Sequence, residues 1–251
     1  MLLLVLLAVL ASSSGASSLK IADLGTVCES TDPNLESCMV KTAQEMLKKL
    51  EDGIPAWNIP KLDPLKVPVM AVQRGGGVAA FNITLKDSYH HGLSKIHFIA
   101  ASANPKKYEI TFKVWLPVYS ITGKYDMSGR LLLLPITGSG NSNITLSNLT
   151  AEWTLTGKPL VQDGLTYMDQ QQFRVRVYPE KVRVKFENLF EGNRLLGATM
   201  NNLLNTHWKE LYKDLGPGLE EAISQLHLSL TKKMFTKIPM SDLFPDLEPL
   251  V

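Results

Sequence analysis

Residues 195–235 are apolar around too much of a helical circumference to form an ordinary surface helix. Leu195, Leu196, Met200, Leu203, Leu204, Trp208, Leu211, Tyr212 and Leu215 recur at mixed three- and four-residue spacings, which makes a wide stripe rather than a narrow seam. Such a helix must be covered on several sides, so the rest of the chain has to supply a concave partner. Gly216-Pro217-Gly218 interrupts the pattern. Pro217 suits the first turn of a resumed helix, and Leu219, Ala222, Ile223, Leu226, Leu230 and Met234 restore the periodicity. One extended helix with a kink or brief break at Pro217 is expected.

The middle of the chain offers the cover. Tyr108, Ile110, Phe112, Val114, Leu116 and Val118 alternate onto one face of a long strand, with Lys107, Glu109, Thr111, Lys113 and Trp115 mostly on the other. Similar stretches occur over 78–85, 93–101, 130–136 and 144–155. A hairpin is expected over 173–186, turning at 178–181, where Arg174, Arg176, Arg183 and Lys185 read as its wet face, with an anion-binding or membrane-surface stripe as the alternative. No room exists between these strands for crossover helices, so the connections are expected to be antiparallel. Before the sheet, Met39, Val40, Ala43, Met46, Leu47 and Leu50 predict a short N-terminal helix. The fold class is therefore α+β. Alternation alone leaves open whether the space between sheet and helix packs shut or holds an apolar ligand.

The first residues point to export. Met1 to Ala11 are nearly all Leu, Val and Ala, followed by ASSSGASS, the pattern of a cleavable secretory signal. We place the signal peptide at 1–16 and a single domain over 17–251. The apolar run is about half of the roughly 20 residues a spanning helix needs. With 26 Lys plus Arg against 24 Asp plus Glu, the chain lacks the concentrated basic surface that a nucleic-acid partner requires. In an oxidising compartment Cys28 and Cys38, the only two cysteines, are expected to pair and stabilise the fold by roughly 2–3 kcal/mol. Their spacing fits neither a CxxC thiol pair nor the usual zinc sites. Asn82, Asn143 and Asn148 each open an Asn-x-Thr sequon and are candidate glycosylation sites.

No catalytic constellation emerges, and the chain reads as a non-enzyme without cofactor or metal. GGGVAA at 75–80 matches GxGxxA but leads into strand-like FNITL rather than a helix. The histidines, His90, His91, His97, His207 and His227, form no HExxH pattern, and Ser139 lacks the spacing of a nucleophile elbow.

Several strings together resemble the takeout family of insects, which is related to the haemolymph juvenile hormone-binding proteins. They are GRLLLLPITGSG at 129–140, NLFEGN at 188–193 and MNNLLNTHW at 200–208, supported by the Cys28 and Cys38 pair, LDPL at 62–65, and Ile238-Pro239 with Leu243-Phe244-Pro245. The resemblance spans essentially the whole mature chain. It implies a highly curved, mostly antiparallel sheet wrapped around one long C-terminal helix, the TULIP-type fold, with a ligand tunnel between them. It further implies a small lipophilic ligand of terpenoid, isoprenoid or fatty-acid-like kind. The juvenile hormone-binding proteins carry a second disulfide in the C-terminal half; this chain has no cysteine there, which places it nearer the takeout branch.

On that reading the tunnel is lined by Phe98, Phe112, Trp115, Leu133, Trp153, Phe173, Leu203, Leu204, Trp208 and Leu211. Burying about fifteen carbons at roughly 0.8 kcal/mol each gives on the order of 12 kcal/mol, against an association cost of roughly 4 kcal/mol or more. Binding therefore needs no polar contact, but specificity does, and Tyr108, Tyr125 and His97 are candidates for it or are satisfied core residues. The alternative function is a secreted interaction or signalling protein with a closed core and no lipid. A transient membrane or receptor contact, and the oligomeric state, stay open.

Overall fold

A computed structural model describes residues 21–55, 58–74, 79–131 and 134–247; the expected signal peptide and Leu133 lie outside them. Two N-terminal helices, α1 (Ile21–Leu24) and α2 (Leu35–Leu50), precede six strands: β1 (Leu65–Arg74), β2 (Ala79–His91), β3 (His97–Asn104), β4 (Glu109–Leu131), β5 (Leu134–Gln162) and β6 (Leu165–Phe186). Helices α3 (Arg194–Thr206), α4 (Trp208–Phe235) and α5 (Met240–Leu243) follow. The strands form one antiparallel sheet in the order β1-β2-β4-β5-β6. β3 joins β4 over Glu109 to Trp115, end to end with β2, which pairs with Ser120 to Leu131. β1 was not foreseen as a strand; its Pro68, which cannot donate to a ladder, is tolerated because β1 lies at the sheet edge.

β5 has 29 residues, about 95 Å if straight at ~3.3 Å each. A strand so much longer than usual must coil with the sheet's twist. That coil carries a fault line. Inward side chains are Ile110, Val114 and Leu116 in β4, then Tyr119, Ile121, Tyr125 and Met127. In β5 they are Leu155, Ala151 and Leu149, then Leu146 and Ile144; in β6, Phe173, Val175 and Val177, then Val182 and Phe186. In all three strands the inward parity switches between the row Leu116, Leu149, Pro179 and the row Val118, Ser147, Lys181. Between those rows lie Pro117, Asn148 and Glu180, with Asn148 at φ 47°. A phase slip of one residue turns every later side chain over, so the crease lets both halves of the coiled sheet present apolar residues inward.

The crease corrects two expectations, and the far end of β4 and β5 a third. Val118 is 45 % exposed rather than continuing the inward face. No hairpin turn lies at 178–181; β6 passes through as one strand, paired to β5 on both sides of Pro179. Its Arg174, Arg176, Arg183 and Lys185 do form an exposed outer face. Of the strand expected over 130–136, Arg130 and Leu131 end β4 and residues 134–136 open β5, with Leu131 paired to Leu134.

The C-terminal helix divides at His207 (φ −104°, ψ 27°), while Pro217 sits inside a continuous α4, the reverse of the expected break. The cause is attachment to the free edge of β6. Asn205 accepts the Val184 N–H and donates to the Val184 C=O, both at 2.8 Å, and Asn201 does the same for Phe186, both at 2.9 Å. Farther along, Tyr212 donates to the Val177 carbonyl (3.2 Å), Glu220 accepts the Val177 N–H (2.8 Å) and Ser224 accepts the Val175 N–H (3.0 Å). Anchors on both sides of Pro217 hold the helix through it, and the bend at His207 lets two helices follow one curved edge. The side chains thus pair and cover an edge that would otherwise be open. Leu195 and Leu196 escape cover and are 77 % and 49 % exposed.

The other elements close the ends. Gly138 and Gly140 let the chain at 187–189 cross β5; a Cβ at these positions would lie 2.6 Å from the Tyr125 hydroxyl and 2.7 Å from the Glu187 carbonyl. Cys28 and Cys38 form the disulfide, tying the N-terminal arm to α2. Asp246 takes the N–H and hydroxyl of both Ser30 and Thr31, clasping the C-terminal segment to that arm; these bonds hold its carboxyl at about 2.

Candidate ligand-binding site

Two apolar cavities lie along α4, one on each side of the crease. The first, about 120 Å³, sits under the start of α4, where Trp208, Leu211, Tyr212, Leu215 and Leu219 face Phe81, Ile83, Met127, Ile136, Val182 and Val184. The second, about 250 Å³, sits under the end of α4, where His227, Leu230, Thr231, Met234 and Phe235 face Phe98, Ile110, Phe112, Trp153, Leu155 and Phe173. Its roof is α2, through Met39, Thr42, Ala43, Met46, Leu47 and Leu50, together with Cys28, Leu243 and Phe244. Between the cavities the buried Ala222, Ile223 and Ser224 bring the helix down onto β6. Together the two volumes reach the lower end of the roughly 300–1,000 Å³ typical of ligand pockets.

Of the side chains expected to line a tunnel, the second cavity gathers Phe98, Phe112, Trp153 and Phe173, and the first gathers Leu204, Trp208 and Leu211. Two fall elsewhere. Leu203 packs on the core without reaching either cavity. Trp115 lies between the inward Val114 and Leu116, so pleating turns it out; its indole N–H donates to Asn148 at 2.5 Å and its ring meets His97.

The polar candidates also land outside the cavities. The Tyr125 hydroxyl donates to the Glu187 carbonyl (2.7 Å), and burial pushes its pKa up to about 12. His97 is exposed, and Tyr108 lines neither cavity. Three polar groups, Ser88, His90 and Tyr119, are buried in the core but line neither cavity. Ser88 donates to the Val67 carbonyl (3.2 Å), which leaves its oxygen to accept from His90 Nε2 (3.4 Å) and His90 Nδ1 to accept from Tyr119 (2.5 Å). Burial lowers His90 to about 4, so it is neutral at physiological pH.

Sequence reasoning passed over His227. Its ring stands between Trp153 and Phe173, with centroids 5.5 and 5.1 Å away. Nδ1 donates to the Ile223 carbonyl at 2.8 Å, which fixes the neutral tautomer with Nε2 as acceptor. Desolvation holds its pKa below the usual value. Among the described residues no group of three His, Cys, Asp or Glu side chains comes together as a metal site. Asn82, Asn143 and Asn148 are all exposed.

A coiled antiparallel sheet closed by a long helix, with apolar space held between them, defines a protein built around a lipophilic interior. Residues 3–245 match the family described as haemolymph juvenile hormone binding protein (JHBP), and the chain belongs to that family. Its members are hormone- and lipid-binding carriers. The chain is 25 % identical over 217 residues to the circadian clock-controlled protein daywake of Drosophila melanogaster, covering 83 % of this chain and 84 % of the relative. It is 24 % identical to daywake of Drosophila yakuba over the same shares. The crystal structure of Epiphyas postvittana Takeout 1 superposes with a TM-score of 0.74 at 24 % identity, over 87 % of this chain and 98 % of that one, which shows the shared fold.

Proposed function

We propose that this chain is a secreted carrier, not an enzyme, which holds a small terpenoid, isoprenoid or fatty-acid-like ligand in the apolar space along α4. The observation that carries the reading is the pair of cavities whose walls are almost wholly apolar. Protein interiors normally pack at the density of organic crystals, and lining atoms beside a void forgo dispersion contacts that a ligand would restore. An apolar chain spanning both cavities would turn them into one tunnel. Secretion is supported by the signal-like leader, the Cys28–Cys38 disulfide and the three exposed sequon asparagines, whose glycosylation belongs to the same reading.

Titration of the delipidated protein with N-phenyl-naphthylamine tests this. Saturable fluorescence enhancement, reversed by long-chain lipids, is expected. No uptake of the probe, with no lipid in an organic extract of the freshly purified protein, would favour a closed-core interaction protein instead.

A further inference from the structure

We propose that His227 orients the ligand in the second cavity, and that this cavity selects apolar chains ending in a neutral hydroxyl over esters and carboxylates. The inference rests on the carrier reading and sharpens it.

The argument is an inventory of hydrogen-bonding capacity. The cavity wall carries no Lys, Arg, Asp or Glu among the described residues. Its three hydroxyl groups already have acceptors: Thr26 donates to Glu45, Thr42 to the Thr26 or Cys38 carbonyl, and Thr231 to Gln170 or the His227 carbonyl. His227 differs. Its Nδ1–H is used by Ile223, and its Nε2 has no partner among the described residues. The ring is hemmed by two aromatic side chains yet keeps accessible surface, because that surface faces the cavity. Among the described residues His227 Nε2 is therefore the wall's one acceptor without any hydrogen bond; the threonine oxygens already donate but keep lone pairs, and the one side-chain donor left over is the indole N–H of Trp153.

That arrangement discriminates by chemistry. A ligand hydroxyl donates to Nε2 and satisfies both partners. An ester or ether only accepts, so Nε2 stays unpaired. A carboxylate would lose its hydration and meet no cation, with the single indole N–H of Trp153 as its one side-chain donor. His227 cannot adapt by moving its proton to Nε2 without leaving Nδ1 opposed to the Ile223 carbonyl. A site that matches a substrate's polar hydrogen discriminates far more sharply than apolar lining, which tells chain lengths apart poorly.

Competition against N-phenyl-naphthylamine, using hexadecanol, methyl hexadecanoate and hexadecanoate on the full-length protein, tests the assignment. The alcohol is expected to bind about tenfold tighter than either of the others. His227→Phe should lower the alcohol to the level of the ester and leave the ester unchanged, while His227→Gln, which keeps an acceptor, should retain part of the preference. Equal affinities for the alcohol and ester, or a preference that survives His227→Phe, overturn the role of His227 and leave the carrier reading standing. Binding of neither probe nor lipid overturns both. Should His227→Phe fail to fold, the ranking by the wild-type protein alone decides.

Discussion

The two cavities share one helix and one sheet but are built differently. The first is walled by β1, β2 and the far half of the sheet; its polar groups among the described residues are the Tyr212 hydroxyl, turned to the Val177 carbonyl, and the Trp208 indole N–H, and none is a free acceptor nitrogen. The second is roofed by α2 and the disulfide arm, closed by the C-terminal clasp, and holds His227 with a free acceptor. The difference suggests a division of labour. On the proposed carrier reading the first cavity extends the apolar volume available to a chain, whereas the second also presents a free acceptor, His227 Nε2, to one end of the ligand. The crease makes the division possible, because it turns apolar residues inward on both sides of Asn148.

The largest effect should come from the edge cover of the first region. Asn201 and Asn205 satisfy two N–H and two C=O groups of β6. Replacing both with Ala should cost about 4 kcal/mol, read as a lower urea midpoint. A loss below ~1 kcal/mol would show that water replaces the clamp freely.

Next comes His90, on β2 near the junction of the regions. Its folded pKa of about 4 lies below its ordinary 6.5, so the unfolded chain binds the extra proton first. The stability this group contributes is whole above pH 6.5 and lost as the pH falls towards 4. That loss is on the order of 3 kcal/mol. The stability gap between wild type and His90→Gln should narrow across that window; a constant gap would remove His90 from the acid response.

Replacing Cys28 and Cys38 with Ser should cost roughly 2–3 kcal/mol and weaken binding in the second cavity, which Cys28 lines. The smallest effects should separate the cavities. Ala43→Phe, filling the second, should weaken hexadecanol about tenfold. Leu215→Trp, filling the first, should spare short alcohols such as decanol and penalise only longer chains. Equal penalties for both chain lengths would erase the distinction.

Periodicity made much of this fold legible. α2, the long antiparallel strands and the wide stripe of the C-terminal helices follow from spacing, and the stripe's demand for cover is met by the sheet. The crease was not read, because Asn148 gives no advance sign of a positive φ. Pro117 and Pro179 inside alternating runs were the available signal, and Pro179 suggested a turn instead. The break at His207 has no local marker, since attachment of α3 and α4 to a curved edge produces it. Asn201 and Asn205 stood out within a motif, yet their function as a clamp needed the strand beside them. His227 was invisible for the same reason: Trp153 and Phe173 are remote in sequence, and only the fold places the imidazole between them.

The central claim is that the space along α4 holds a lipid. Native mass spectrometry of the chain secreted by insect cells tests it most directly. The account predicts a population heavier than the glycosylated polypeptide by the mass of one lipid, lost on organic extraction and regained with hexadecanol. Only the polypeptide mass, before and after hexadecanol is added, would contradict it.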